Sequence, residues 1–325
     1  MYLLLLVSTN LLACDVCNMY MSINPNDYKN TISLVHRYRQ AGGTITGFSN
    51  SGNPFIKHDL TNIPVDTDVR EVFKSYELWG RFFLGKKWQL NASVSFADNY
   101  YYQNNEINQN VAGVGDMILL ANYQAFSTIS STDSIKFRNR LLIGGGVKLP
   151  TGAFNKTYVD GYETKIAEGR GATFIQVPNV ILDPHIQPGT GSTDLLLNAE
   201  YMMRLKNSGV SFINTYRIST TNKNSFKYAN RYNAMANIFH IVKLKKLAIM
   251  PHLGAYGEIA DNDRDNGEIY LSSGGKSFFT TYGLDMYFEK ISVSFMYQLP
   301  FNEELYGNQV PSQKRLLLSL NYLIN

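Results

Sequence analysis

Residues 192–205 read STDLLLNAEYMMRL. Thr193, Leu195, Leu197, Ala199, Tyr201, Met203 and Leu205 take alternate positions, with Asp194, Leu196, Asn198, Glu200, Met202 and Arg204 between them. Successive side chains of a strand point to opposite faces. One face of this stretch is therefore apolar, and the other carries two carboxylates and a guanidinium. In a water-soluble fold the apolar face would enter a core. In a membrane barrel it would face lipid, and the charged face would line a lumen.

The rest of the chain decides between these. The same alternation recurs in 29–40, 70–84, 88–96, 117–123, 137–147, 210–218, 232–238, 249–255, 278–288, 291–297 and 316–322. With 192–205 that makes about twelve strands, each near the length a tilted strand needs to cross a bilayer. No helical periodicity and no fixed-length repeat interrupts the series. The connections alternate in length. Those at 85–87, 129–134, 206–209, 243–246 and 289–290 are tight. Those at 41–69, 98–113, 150–191, 260–275 and 300–313 are long and polar, and 222–227 is shorter. Tight turns on one side and long loops on the other predict a closed antiparallel transmembrane β-barrel, with short periplasmic turns and long extracellular loops. An even strand count returns both chain ends to the periplasmic side. The apolar faces then meet lipid, where every backbone group is paired only if the sheet closes.

Composition agrees. The chain has 325 residues, 22 Tyr and 18 Phe, and charged residues make up only 17%. That fraction is low beside the usual value of about 25%, and the aromatics are strand formers. Mean hydropathy is −0.19 and no run of about 18 apolar residues marks a membrane helix. The net charge of +4 is spread without a Lys/Arg block, which argues against a nucleic-acid partner. The expected partners are outer-membrane lipid and a small solute, and the sequence leaves the oligomeric state open.

The start, MYLLLLVSTNLLACDVC, reads as a secretory signal over 1–13, followed by a periplasmic segment over 14–28 and the barrel over 29–325. LLAC also fits a lipoprotein box, with Cys14 as the lipidated residue. Cys14, Cys17, Met19 and Met21 form the one soft-ligand cluster, of the kind that selects Cu(I). A local disulfide between the two cysteines is the alternative. No other metal spacing, phosphate loop or Gly-x-Ser-x-Gly motif occurs, and no cofactor is expected. The acidic stretch 261–268, DNDRDNGE, has part of a calcium-loop pattern but lacks its ligand spacing, so it reads as an exposed polar loop.

On the faces opposite the apolar ones stand Arg81, Asp116, Arg138, Arg140, Lys148, Asp194, Glu200, Arg204, Arg217 and Arg231. They are the candidate pore-lining residues, with a modest basic excess that favours anions. The alternative is that such charges fill the lumen with mutual ion pairs. Lys148-Leu149-Pro150-Thr151-Gly152 and Gly189-Thr190-Gly191-Ser192 flank the longest loop. They mark either a loop folded into the pore mouth or plain turn chemistry at strand ends. Gly144-Gly145-Gly146 predicts a bulge, a sharp bend or a close approach of an inward loop.

Three segments, GVGDMILLANYQ (113–124), GGGVKLPTG (144–152) and QPGTGSTDLLLNAEY (187–201), together resemble the outer-membrane barrel transporters of the meta-pathway of phenol degradation type. The resemblance covers most of 29–325 and implies an outer-membrane channel of a Gram-negative bacterium that passes small solutes passively. It implies no catalytic residue. CDVC resembles the Cys-Asp-x-Cys-Gly-Cys start of some of these barrels, with Asn18 and Met19 in place of the glycine and third cysteine. The alternative classes are a plugged structural or assembly barrel and a barrel-bound enzyme. For the enzyme, His36, His58, His185, His240 and His252 show no nucleophile context.

Overall fold

The computed structural model describes residues 29–45, 67–128, 137–158, 162–166, 172–176, 180–307 and 309–324. The expected signal and periplasmic segments over 1–28, with Cys14 and Cys17, lie outside them, as does His58. Twelve long strands close into one antiparallel barrel: β1 (Asn30–Ile45), β2 (Thr67–Leu84), β3 (Trp88–Gln103), β4 in two segments (Glu106–Val114 and Met117–Ser127), β5 (Phe137–Leu149), β6 (Asp194–Leu205), β7 (Ser208–Ile218), β8 (Arg231–His240), β9 (Ala248–Ala260), β10 (Gly275–Tyr287), β11 (Ile291–Leu305) and β12 (Ser312–Ile324). Each strand pairs with its chain neighbours, and β1 pairs with β12 from Asn30↔Ile324 upward, so no edge is left open. Closure is what a lipid environment demands of a sheet. No helix among the described residues is long and apolar enough to cross a membrane.

The faces follow the alternation. On β6, Leu195 and Leu197 are each 47% exposed on the outside, whereas Asp194 and Leu196 are buried inside. The same holds around the wall: Leu34, Leu78, Ile143, Ile238, Leu253 and Leu320 face outward and are exposed. The opening stretch therefore turns its apolar face to lipid. A closed barrel with such a band is a protein of the outer membrane.

Two expectations need correction. The stretch 98–113 is not a loop. β3 and β4 continue through it as a protruding hairpin, closed by Asn104 and Asn105 at φ 50° and 66°. Two consecutive residues in the left-handed region make the hairpin turn whose twist matches the strands, and Asn tolerates it best after Gly. Only Asn104 and Asn105 form the turn, and Asn99 and Asn110 are paired in the ladder. Second, no bulge occurs at the triple glycine. Gly144–Gly146 pair in unbroken register with β4 and β6, and the register shift falls at Gln124/Phe126. The glycines instead admit a tightly bent wall, since a Cβ on Gly146 would lie 2.1 Å from the Leu119 carbonyl oxygen.

The lumen is not uniformly polar. Val35, Trp79, Met202, Met235, Met250, Phe279, Met296 and Leu317 are inward-facing and form one buried apolar belt across it. The methionines among them stand at the positions between the outward residues of their strands, so the alternation alone does not single them out.

Candidate functional site

The extracellular mouth is occupied by the end of the longest loop. Residues 182–192 are buried, apart from half-buried Pro184 and Gly191. Two clusters of side chains hold them there.

The first lies at the loop base and unites the three motifs of the sequence. Gly115 and Asp116 interrupt β4 between its segments, which turns the Asp116 carboxylate inward. Lys148 and Asp194 are register partners on β5 and β6. The Lys148 ammonium lies 3.0 Å from both the Asp116 and Asp194 carboxylates and also donates to Thr190 Oγ1. Asp116 accepts from the Gly152 and Thr190 N–H groups, each at 2.9 Å, and from the Thr190 hydroxyl at 2.7 Å. Ser192 Oγ donates to Asp194 at 2.8 Å, and Arg217 Nε lies 3.8 Å from Asp194. Lys148 and Asp194 are fully buried, where charges persist only if paired and hydrogen-bonded. The backbones meet as closely as glycine allows: a Cβ on Gly152 would fall 2.7 Å from Gly115 C and 2.8 Å from Gly189 Cα. The motif glycines thus serve a close approach.

The second cluster holds the loop tip and joins residues 78 apart in the chain. His185 Nδ1 bonds Asp183 Oδ1 at 2.6 Å, and Nε2 bonds Asp263 Oδ2 at 2.6 Å. Asp263 belongs to the loop between β9 and β10. Its other oxygen accepts from the Ala229 N–H at 2.6 Å, and Tyr270 OH donates to Asp183 at 3.2 Å. Tyr228 OH caps the Pro184 carbonyl at 2.7 Å, and Asn99 of β3 donates to the Ile186 carbonyl at 2.9 Å. Phe226, Tyr228 and Tyr270 surround the imidazole with ring centroids within 6 Å. Burial works against a charged imidazole, but the bonds from Asp183 and Asp263 outweigh it and hold His185 well above its ordinary pKa. Burial pushes Asp183 up despite those bonds. For Asp263 the burial penalty is overcome by His185, so its carboxyl lies below the usual range. Burial, with the Asp183 charge beside it, raises the Tyr270 phenol. The cluster sets one imidazole between two carboxyl groups, a geometry that favours the charged ring.

Asp263 lies within the stretch 261–268. The expected exposed polar loop is therefore partly wrong: Asp263 is buried because His185 supplies a cation for it. The latch was not visible in the sequence. Its one local signal is Asp183-Pro184-His185, an aspartate two residues from a histidine.

All ten candidate residues lie on inward-facing positions. Asp116, Lys148, Asp194 and Arg217 come together in the loop-base cluster. Arg231 lies 3.8 Å from Glu258, which Arg315 holds at 2.7 Å. Glu200 accepts from Asn198 at 3.2 Å. Arg140 and Arg204 stand towards the periplasmic end, with Arg138 as the register partner of Arg204. Arg81 is buried on the periplasmic half of β2. Beneath the loop tip lies a cavity of about 100 Å³, lined among others by Arg37, Glu77, Trp79, Asn99, His185 and Tyr228. Arg37 bonds Glu77 at 2.8 Å, and Trp79 Nε1 donates to Glu77 at 2.6 Å. Among the described residues no group of three or more His, Cys, Asp or Glu side chains could hold a metal ion.

No family model and no curated protein matches the chain. Solved structures do. An outer-membrane channel from Pseudomonas putida F1 superposes with a TM-score of 0.62 at 14% identity, over 93% of this chain and 100% of that one. The fold is that of an outer-membrane β-barrel. The beta domain of the Bordetella autotransporter BrkA (TM-score 0.43, 9% identity, 92% and 100% covered) and a Pseudomonas aeruginosa FadL homologue (0.40, 10%, 90% and 90%) are more distant.

Proposed function

We propose that the barrel is a passive outer-membrane channel for small solutes, gated at its extracellular mouth by residues 182–192. The observation that carries this is the buried loop tip above an internal cavity, pinned by His185 between Asp183 and Asp263. The apolar belt from Val35 to Leu317 favours solutes with an apolar body. Arg81, Arg138, Arg140 and Arg204 would meet the solute on its way to the periplasm. Asp116, Lys148, Asp194 and Arg217 shape the wall. Arg231, the register partner of Arg217, lines it at the level of that cluster, and Glu200 lines it between the two levels. A transport role of the phenol-degradation type is the narrower form of the proposal and rests on the resemblance of 113–124, 144–152 and 187–201.

A channel is favoured over an enzyme because both His185 ring nitrogens are committed to carboxylates, leaving none to activate a nucleophile. The plugged barrel is the second reading, supported by pairings such as Arg37–Glu77 and Arg315–Glu258 inside the lumen. Liposome swelling separates the two. A channel admits a pentose and a small aromatic acid at measurable rates, and the rates rise when the loop tip is released. A plugged barrel admits neither solute, with or without the loop held.

A further inference from the structure

The outer wall over β12, β1, β2 and β3 changes character row by row, and strand register defines the rows. Leu320, Leu34, Leu78 and Val94 lie side by side facing lipid. One row towards the outside come His36, Tyr76 and Phe96, with His36 stacked on Tyr76 at 4.8 Å. Such an aromatic girdle marks the membrane interface. The opposite girdle carries Trp88, packed edge-on against Tyr123 at 5.1 Å. Trp88 pairs with Leu84, eight residues along β2 from Tyr76, which places the girdles about 20 Å apart for a tilted strand. That matches the apolar band of an outer-membrane barrel.

β1, β2 and β3 do not stop at the girdle. They have 16, 18 and 16 residues, against 10 for β8. Their outward positions beyond the girdle are cationic and aromatic. Lys74 lies over the Tyr100 ring at 4.4 Å and Arg70 over Tyr102 at 4.2 Å. Lys314 of β12 lies 5.9 Å from the Tyr38 ring. By strand rise and tilt, Lys74, Lys314 and Arg70 stand about 5, 10 and 15 Å above the girdle. Asp98, the register partner of Lys74, is turned to the Tyr100 hydroxyl at 2.9 Å and the Asn110 amide at 3.0 Å. Asp68 lies one row beyond Arg70. Among the described residues no carboxylate comes within ion-pair distance of these three cations. Arg70 Nε is buried with no hydrogen-bond partner among them.

We propose that this face binds the phosphorylated sugar headgroup of an outer-leaflet glycolipid. It continues the lipid-facing surface upward without a break, at the depth where a membrane presents phosphates. It offers cations at several heights rather than in one cluster, which suits an extended headgroup better than a free ion. The tyrosines beneath fix each cation and give sugar rings a flat surface. The site is independent of the channel reading.

The test uses the full barrel in detergent, incubated with diphosphorylated lipid A and then exchanged into lipid-free detergent. Retained lipid is counted by native mass spectrometry. The variants are R70Q/K74Q/K314Q and, as a control of equal charge change on the periplasmic rim, K243Q/K245Q/K246Q. Heat-modified gel mobility establishes that each is folded. We expect the wild type and the control to retain the lipid, and loss of about fivefold for each cation removed from the outer face. Dephosphorylated glycolipid should be retained weakly by all, and millimolar inorganic phosphate should not displace lipid A. Equal retention by the outer-face variant, equal loss in the control, or displacement by free phosphate would each overturn the proposal.

Discussion

Two polar clusters hold the same loop, and they differ in chemistry and in how the chain builds them. At the base, an ammonium sits between Asp116 and Asp194, and Lys148 and Asp194 are register partners on adjacent strands. At the tip, an imidazole sits between Asp183 and Asp263, which arrive on two separate loops. The base cluster is part of the wall, because its cation and one of its carboxylates stand on adjacent barrel strands. The tip cluster bridges two loops, and an imidazole is the side chain whose ordinary charge change lies near neutrality. The contrast suggests a division of labour: the base makes the barrel, and the tip closes it.

The largest effect should follow Lys148→Met. Removing the ammonium leaves the buried Asp116 carboxylate without its cation and Asp194 with the more distant Arg217, which costs about 3–5 kcal/mol. Unfolding by urea in micelles should shift accordingly. If it shifts no more than for a surface lysine such as Lys276, the base cluster is not part of the wall's stability. Next comes Ile143→Arg, halfway along β5 on the lipid side. A cation near the bilayer midplane costs roughly 2–4 kcal/mol there, so folding yield into vesicles should fall, whereas Glu200→Gln on the lumen face should leave yield nearly intact. Comparable damage from both would contradict the assigned faces.

A smaller effect is expected from pH, and its sign follows from the shifts. The raised His185 pKa means that its contribution is full below the ordinary imidazole value and is lost as pH rises through the folded one. The lowered Asp263 pKa means that its contribution is present above the ordinary carboxyl value and is lost as pH falls through the folded one. Asp183, raised by burial, is the carboxylate that neutralises first on acidification. The loop tip should therefore be held most firmly around neutrality and released towards both extremes. Protection of 182–192 from limited proteolysis in micelles, followed against pH, should show that maximum. A flat profile would mean that the latch does not hold the tip.

The same two clusters show what a sequence can reveal. The barrel was legible because a period-two pattern repeated over about twelve strands survives local irregularity. The base cluster was legible in part, because Gly-x-Gly-Asp, Lys-Leu-Pro-Thr-Gly and Gly-Thr-Gly-Ser-Thr-Asp are strand-end motifs with their chemistry in adjacent letters. Their meeting point around Lys148 needed the strand order β4–β5–β6. His185 and Asp263 lie 78 residues apart with no periodicity to relate them, so their bond exists only once the barrel brings two loops over one mouth. The methionines of the lumen belt were hidden for another reason. Single apolar residues on a polar face, such as Met235 and Met250, break no pattern, and only closure gathers them into one layer.

Single-channel conductance at neutral pH tests the gate most directly, by comparing the wild type with His185→Ala, in which Lys148 and the base cluster are untouched. The variant should fold and keep its heat-modified mobility. Its openings should be larger or longer than in the wild type, and the rise in conductance expected of the wild type at alkaline pH should be lost. A folded variant with unchanged conductance and an unchanged pH profile would contradict the gate.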